Sequence, residues 1–240
     1  MQIYDEFFSR PTSKWSRWSS YWLNRAILTN YISLTNVEPV NIDILEIGTG
    51  KGNIVTATQE LNFRSYTGVE PNAKLAEFCK ESFGVEIYEV TLPNLDCFIS
   101  NQFDTTVAVH VLEHSLNPEE AHKWCSEMLR VTKEDGHVVI ACPDISDYGS
   151  YFWDSDWSHS YPTTPKRIAQ IFKDLDVQVV FSGKLHLGRT GIVSGLVAHI
   201  ISFCIPTKMG DRITKAMFGR PLVSGLKVTL WGMAFVIAKK

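Results

Sequence analysis

The chain has 240 residues, a hydrophobic content of 45%, a charged content of 20% and a formal net charge of −3. This is the composition of an ordinary globular protein with a sizeable core, and the length suits one α/β domain with additions. The weak negative charge and the lack of a dense Lys/Arg run leave no footprint for nucleic acid, so no such partner is expected.

Cys79, Cys97, Cys125, Cys142 and Cys204 are scattered, with no C-x-x-C pair and no histidine at metal spacing. They read as buried free thiols in a reducing compartment, and no metal site is expected. The opening MQIYDEFFSRP carries early acidic residues and no apolar core segment, so a cytoplasmic protein without a signal peptide is expected. Two strongly apolar stretches, 192–206 and 222–238, fall short of the roughly 20 clean residues a spanning helix needs. They read as buried helix and strand, or as peripheral contact with a membrane that presents a lipid-bearing substrate.

After a loose segment at 1–11, residues 12–33 carry a helical pattern with Thr12 or Ser13 as cap. Trp15, Trp18, Trp22, Ile27 and Tyr31 form one aromatic face, laid over the core or closing a ligand pocket as a lid. Residues 42–52 read IDILEIGTGKG, a run with the length of a buried parallel strand followed by Gly48, Gly50 and Gly52. Such a turn brings bare backbone against a ligand, and the helix expected at 53–61 aims its N-terminus at the same point. Residues 65–70 form a second strand that Pro71 stops. Its last residue, Glu70, lies 20 positions past Gly50, where an acid can accept both hydroxyls of a ribose or, alternatively, start the helix at 72–82.

Strands are predicted at 85–90 and 103–110, a helix at 118–131 opening on Pro-Glu-Glu, a turn at Asp135-Gly136 and a strand at 137–142. This alternation implies a parallel, doubly covered sheet. Residues 145–161 break the pattern with an aromatic and polar run just past a strand's carboxyl end, where long loops are usually functional. A helix at 164–175, a strand at 177–182 and a final strand at 231–238 follow. About 50 residues of mixed helical and apolar character separate those two strands.

In this order the pieces resemble the class I S-adenosylmethionine-dependent methyltransferases. LEIGTGKG is similar to their first motif and YTGVEPN to their ribose-binding second, while the run from Phe103 to Asp144 resembles the segment from their fourth strand through their fifth. The resemblance implies a Rossmann-like, doubly wound, mostly parallel seven-stranded sheet with an antiparallel last strand. A single domain over 1–240 is then expected, with a helical cap at 12–38, a cofactor-binding core at 42–183, a helical insertion at 184–230 and the last strand at 231–240.

The resemblance also implies S-adenosyl-L-methionine as cofactor and S-adenosyl-L-homocysteine as product. Glu46, Gly48, Thr49, Gly50 and Gly52 would line its amino-acid and sulfonium end, Glu70 would hold the ribose and Pro71 would pack near the adenine. His110 and Val111 would flank the methionine portion. The family often has an acid after the third strand; Val90-Thr91-Leu92 stands there instead, which passes the adenine contact to Thr91 or to backbone. A nicotinamide cofactor would want Gly-x-Gly-x-x-Gly, and the spacing Gly48-x-Gly50-x-Gly52 favours a mononucleoside.

Methyl transfer from a sulfonium is an in-line displacement that alignment accelerates, and a hydroxyl acceptor also gains from a nearby base. His114 and His159 are the candidate bases, although His114 could equally be a structural residue of its loop. Tyr151, Trp153, Trp157 and Tyr161 are the candidate acceptor contacts, suited to stacking on a sugar or ring. A small-molecule, glycan or lipid-linked acceptor and O-methylation are expected. A cofactor-binding pseudoenzyme and a membrane-associated scaffold are the alternatives from other classes.

Overall fold

The structure is a computed structural model that describes residues 14–186, 188–204, 212–213 and 232–240. Helix α1 (Lys14–Thr35) precedes β1 (Asp43–Ile47), α2 (Asn53–Glu60), β2 (Ser65–Val69), α3 (Ala73–Phe83) and β3 (Glu86–Tyr88). After a long connection come β4 (Phe103–Val109), α4 (Pro118–Val131) and β5 (Thr132–Pro143). Local chemistry sets the helix ends. The Asn72 side chain accepts from the amides of Lys74 and Leu75, and Gly84 closes α3 in the left-handed region. Asn117 likewise accepts from the Glu120 amide, with Pro118 opening α4.

Three further strands follow, β6 (Gln178–His186), β7 (Arg189–Thr190) and β8 (Met233–Lys239). Among the described residues the sheet order is β3-β2-β1-β4-β5-β8-β6-β7, eight strands rather than the seven expected. The addition is β7, a two-residue strand folded back on the end of β6. Strand β8 lies between β5 and β6 and runs antiparallel to both. Side chains alternate across the sheet and separate two apolar layers. Leu45, Ile47, Val138, Ile140 and Val236 pack under α4 and α7 (Pro165–Asp174). Ile44, Val107, Val139, Phe235 and Ile237 face α1 and α2.

Three local expectations change. Strand β5 begins at Thr132 rather than 137, and the Asp135-Gly136 turn becomes an irregularity inside it, with Asp135 at φ 64°. Residues 145–161 are not a plain loop: they hold α5 (Ile145–Tyr148), capped by Asp144, and α6 (Tyr151–Ser155). The aromatic face of α1 divides, because only its second half lies on the sheet. Ile27, Leu28 and Tyr31 are fully buried, while Trp18 and Trp22 are exposed. The side chain of Trp15 and the proposed cap at Thr12 or Ser13 lie outside the described residues, as do residues 222–231 of the second apolar stretch. Cys79, Cys125 and Cys142 are buried free thiols, but Cys97 is exposed.

Candidate functional site

The carboxyl ends of β1, β2 and β4 meet where the strand order reverses direction, the position at which doubly wound sheets open a crevice. The glycine turn forms one wall. Gly48 and Gly52 both have φ +77°; a Cβ on Gly48 would stand 2.7 Å from Val111 Cγ2, and one on Gly52 would meet the Phe83 ring at 2.3 Å. Neither position accepts a side chain, on conformation or on space. The amides of Gly48 and Thr49 donate to the Val69 carbonyl at 2.8 and 3.1 Å, tying the turn to β2.

Glu70 is buried, and its two carboxylate oxygens accept from the amides of Gly50 at 2.8 Å and Asn72 at 3.0 Å. Burial raises its pKa, opposed by those two amides. Each oxygen keeps a lone pair for a further donor. The crevice is a cavity of about 330 Å³, at the small end of ligand pockets. Apolar groups from Ile47, Val69, Val90, Leu92 and Val111 line it beside Trp124. The Trp124 Nε1–H is buried there with no hydrogen-bond partner among the described residues.

Of the residues singled out as cofactor contacts, Gly48, Gly50, Glu70, Pro71, Thr91, His110 and Val111 line the cavity. Glu46, Thr49 and Gly52 do not. Period-two alternation turns Glu46 to the opposite face, where it accepts from the Tyr66 hydroxyl and burial raises its pKa well above the usual carboxylate range. Thr49 is buried over the Val69 carbonyl, and Gly52 serves the packing of Phe83.

The two histidines separate in the same way. His114 lines the cavity; burial chiefly lowers its pKa, Glu113 opposes, and His159 lowers it further. His159 is buried behind it, with ring centroids 5.0 Å apart, and its Nδ1–H donates to the Phe152 carbonyl at 2.7 Å. None of the four expected acceptor contacts lines the cavity. Helix α6 turns Phe152 inward and Trp153 outward; Trp157 is also exposed, and Tyr151 lies beside Tyr148. Tyr161 belongs to the core, under the Arg167 guanidinium.

Sequence reasoning missed Trp124, which sits on the apolar stripe of α4 and reads as core, and Asn72, which reads as a cap. It also passed over Glu113, the neighbour of the candidate base His114 within the run from Phe103 to Asp144. A bare-backbone turn, a buried carboxylate with spare lone pairs, an apolar slot and an orphaned indole donor together fit a nucleoside with a short charged tail. S-adenosyl-L-methionine is such a molecule.

Residues 45–140 match the profile of the family described as "Methyltransferase domain". The chain is 28% identical over 125 residues to an "Uncharacterized methyltransferase" of Anoxybacillus flavithermus, covering 49% of this chain and 55% of that protein. It is 27% identical over 156 residues to a "Ribosomal RNA small subunit methyltransferase A" of Pelagibacter ubique, covering 60% of this chain and 59% of that protein. The chain thus spans little more than half the length of these relatives. The structure resembles a SAM-dependent methyltransferase from Archaeoglobus fulgidus with a TM-score of 0.59 at 21% identity, covering 90% of this chain and 92% of the other. A relative named for ribosomal RNA removes the ground for excluding nucleic acid as a partner, since net charge does not report a local surface. Residues 45–140 therefore match a methyltransferase domain, and the fold is the Rossmann-like one seen in SAM-dependent methyltransferases.

Proposed function

We propose that this S-adenosylmethionine-dependent methyltransferase domain makes the whole chain an enzyme that methylates a hydroxyl on a small-molecule, glycan or lipid-linked acceptor. The observation that carries the proposal is the cavity at the sheet's switch point, whose wall includes both Glu70 and His114. Bound there, S-adenosyl-L-methionine supplies an electrophilic methyl group on a cationic sulfur. Glu70 accepts from the ribose hydroxyls, and the Gly48 to Gly50 backbone lies close along the amino-acid tail because no Cβ intervenes. Ile47, Val90 and Leu92 exclude water from the adenine slot. His114 stands on the acceptor side, where its neutral imidazole offers a lone pair to the hydroxyl's proton or, as argued below, to a cation beneath the hydroxyl oxygen. His159 positions it from behind.

A cavity of about 330 Å³ suits a mononucleoside better than a dinucleotide, which counts against a nicotinamide-dependent oxidoreductase. A pseudoenzyme or scaffold would not require His114 on the cavity wall. Calorimetric titration with S-adenosylhomocysteine is expected to show one site per chain at micromolar affinity. Absence of binding would overturn the proposal.

The lipid-linked part of the reading rests on α8 (Ile192–Cys204), which holds Val193, Leu196, Val197, Ile200 and Ile201 exposed. No helix among the described residues is long and apolar enough to cross a membrane. Such a face suits contact with a bilayer surface. We expect the protein to float with anionic vesicles and the Leu196→Asp, Ile200→Asp double variant, which removes apolar area and adds repelled charge, to stay in the soluble fraction. Equal flotation of both would remove the membrane contact.

A further inference from the structure

The 3-10 turn Leu112–His114 that follows β4 and the segment 158–161 that follows α6 are tied together by backbone. The amides of Ser160 and Tyr161 both donate to the Glu113 carbonyl at 3.0 Å. This brings the side chains of Glu113, His114 and His159 together, one ligand-type atom from each lying within 4.8 Å of the others. Glu113 is fully buried. Its Oε1 is engaged by His110 Nδ1 at 3.2 Å, while Oε2 has no hydrogen-bond partner among the described residues. A carboxylate oxygen taken out of water needs a positive or donating partner.

The hydrogen bonds around the two imidazoles decide their tautomers. The Phe152 carbonyl can only accept, so His159 carries its proton on Nδ1 and its lone pair on Nε2. The Ser158 hydroxyl gives its proton to Asp156 at 2.6 Å, so Ser158 Oγ accepts from His114 Nδ1 at 3.0 Å. His114 therefore also has its lone pair on Nε2. A carbonyl or an acid-backed hydroxyl on the far nitrogen is the outer-shell arrangement of metal-bound histidine. His110 plays the same outer part for the carboxylate.

We propose that Glu113, His114 and His159 form a divalent-metal site at the acceptor end of the cavity. Two imidazoles and one carboxylate suit first-row ions such as Mn²⁺ or Zn²⁺, with positions left open for oxygen ligands. A tetrahedral ion with bonds of about 2.1 Å spaces its ligands about 3.4 Å apart, so side-chain rotation of roughly 1 Å closes the set. The site stands independently of the methyltransferase reading, but its use rests on that reading. An acceptor hydroxyl bound to the ion ionises more readily: its O–H bond breaks, the proton passes to water and the electron pair stays on oxygen. His114 then acts as a ligand in place of a base, and the expectation of no metal is replaced.

The test is Mn²⁺ binding to the full chain, followed by paramagnetic resonance and calorimetry, with Mn²⁺ chosen because thiolates compete poorly for it. Wild type is expected to bind one ion per chain. Glu113→Gln removes the anionic ligand at constant volume. His159→Asn keeps a donor for the Phe152 carbonyl but removes the Nε2 lone pair. Each is expected to weaken Mn²⁺ by more than about 100-fold, beyond the 10- to 100-fold typical of losing an outer-shell partner. Both should retain S-adenosylhomocysteine binding, which shows that they fold. If wild type binds Mn²⁺ no more tightly than these variants, the site is refuted while the cofactor reading survives. Mn²⁺ binding without S-adenosylhomocysteine binding would leave the site standing and sink the methyltransferase reading.

Discussion

Replacing Glu70 by Ala is expected to weaken S-adenosylhomocysteine binding by about 2–4 kcal/mol, roughly 30- to 1,000-fold. The carboxylate is buried at the tip of β2 and held by the amides of Gly50 and Asn72, so its orientation is set before the ligand arrives. Hydrogen bonds to a charged acceptor contribute about 1.5–3 kcal/mol each, and a ribose presents two donors. The sum is discounted because the variant also frees two amides that the ligand can partly re-engage. The pH dependence gives a second signature. Burial raises the Glu70 pKa, so the carboxyl takes up its proton at a higher pH than an ordinary glutamate does. Binding needs the ionised form, so affinity is full above the raised pKa and falls as pH drops through it. This acid limb lies at higher pH than that of an ordinary glutamate and is absent in Glu70→Ala. Calorimetry across pH on both proteins checks both statements. An affinity that Glu70→Ala leaves unchanged would move the ribose elsewhere.

Replacing His114 by Ala should act on the other half of the reaction. His114 shares the cavity wall with Gly48, Gly50 and Glu70, but it lies past the end of β4, beside Glu113 and against the His159 ring. Turnover is expected to fall roughly 10²- to 10⁴-fold, the range for losing a group that manages the acceptor's proton. S-adenosylhomocysteine affinity should change little. The measurement is single-turnover methyl transfer to an identified acceptor, with calorimetric affinity in parallel. A parallel loss of affinity and turnover would make His114 a cofactor residue. Under the proposed metal site His159 is a ligand beside His114, so its removal should lower turnover to a similar degree while S-adenosylhomocysteine affinity again changes little.

The amino-acid sequence by itself determined the alternation of strands and helices, the glycine turn and the acid at Glu70, because each depends on nearby residues. Branched apolar runs make strands, Asn72 and Asn117 cap helices, and three glycines allow a left-handed turn wherever the rest of the chain lies. Those residues carried over from the family resemblance that line the cavity sit in that turn or just past the carboxyl ends of β2, β3 and β4. Glu46 shows the limit, since a one-residue step along a strand reverses the face and places it against Tyr66.

Only the tertiary structure decided which of the remaining candidate residues meet the cavity. Tyr151, Trp153, Trp157 and Tyr161 look alike in sequence, yet two are exposed, one lies in the core and none meets the cavity. Trp124 reaches the cavity from a helix whose pattern says core. His114 and His159 are 45 residues apart in the chain, and two hydrogen bonds to the Glu113 carbonyl bring them to a 5.0 Å ring contact. Local propensity carries no information about such a pairing. It forms because β4 and β5 lie side by side in the sheet, so the segments leaving their carboxyl ends emerge next to each other.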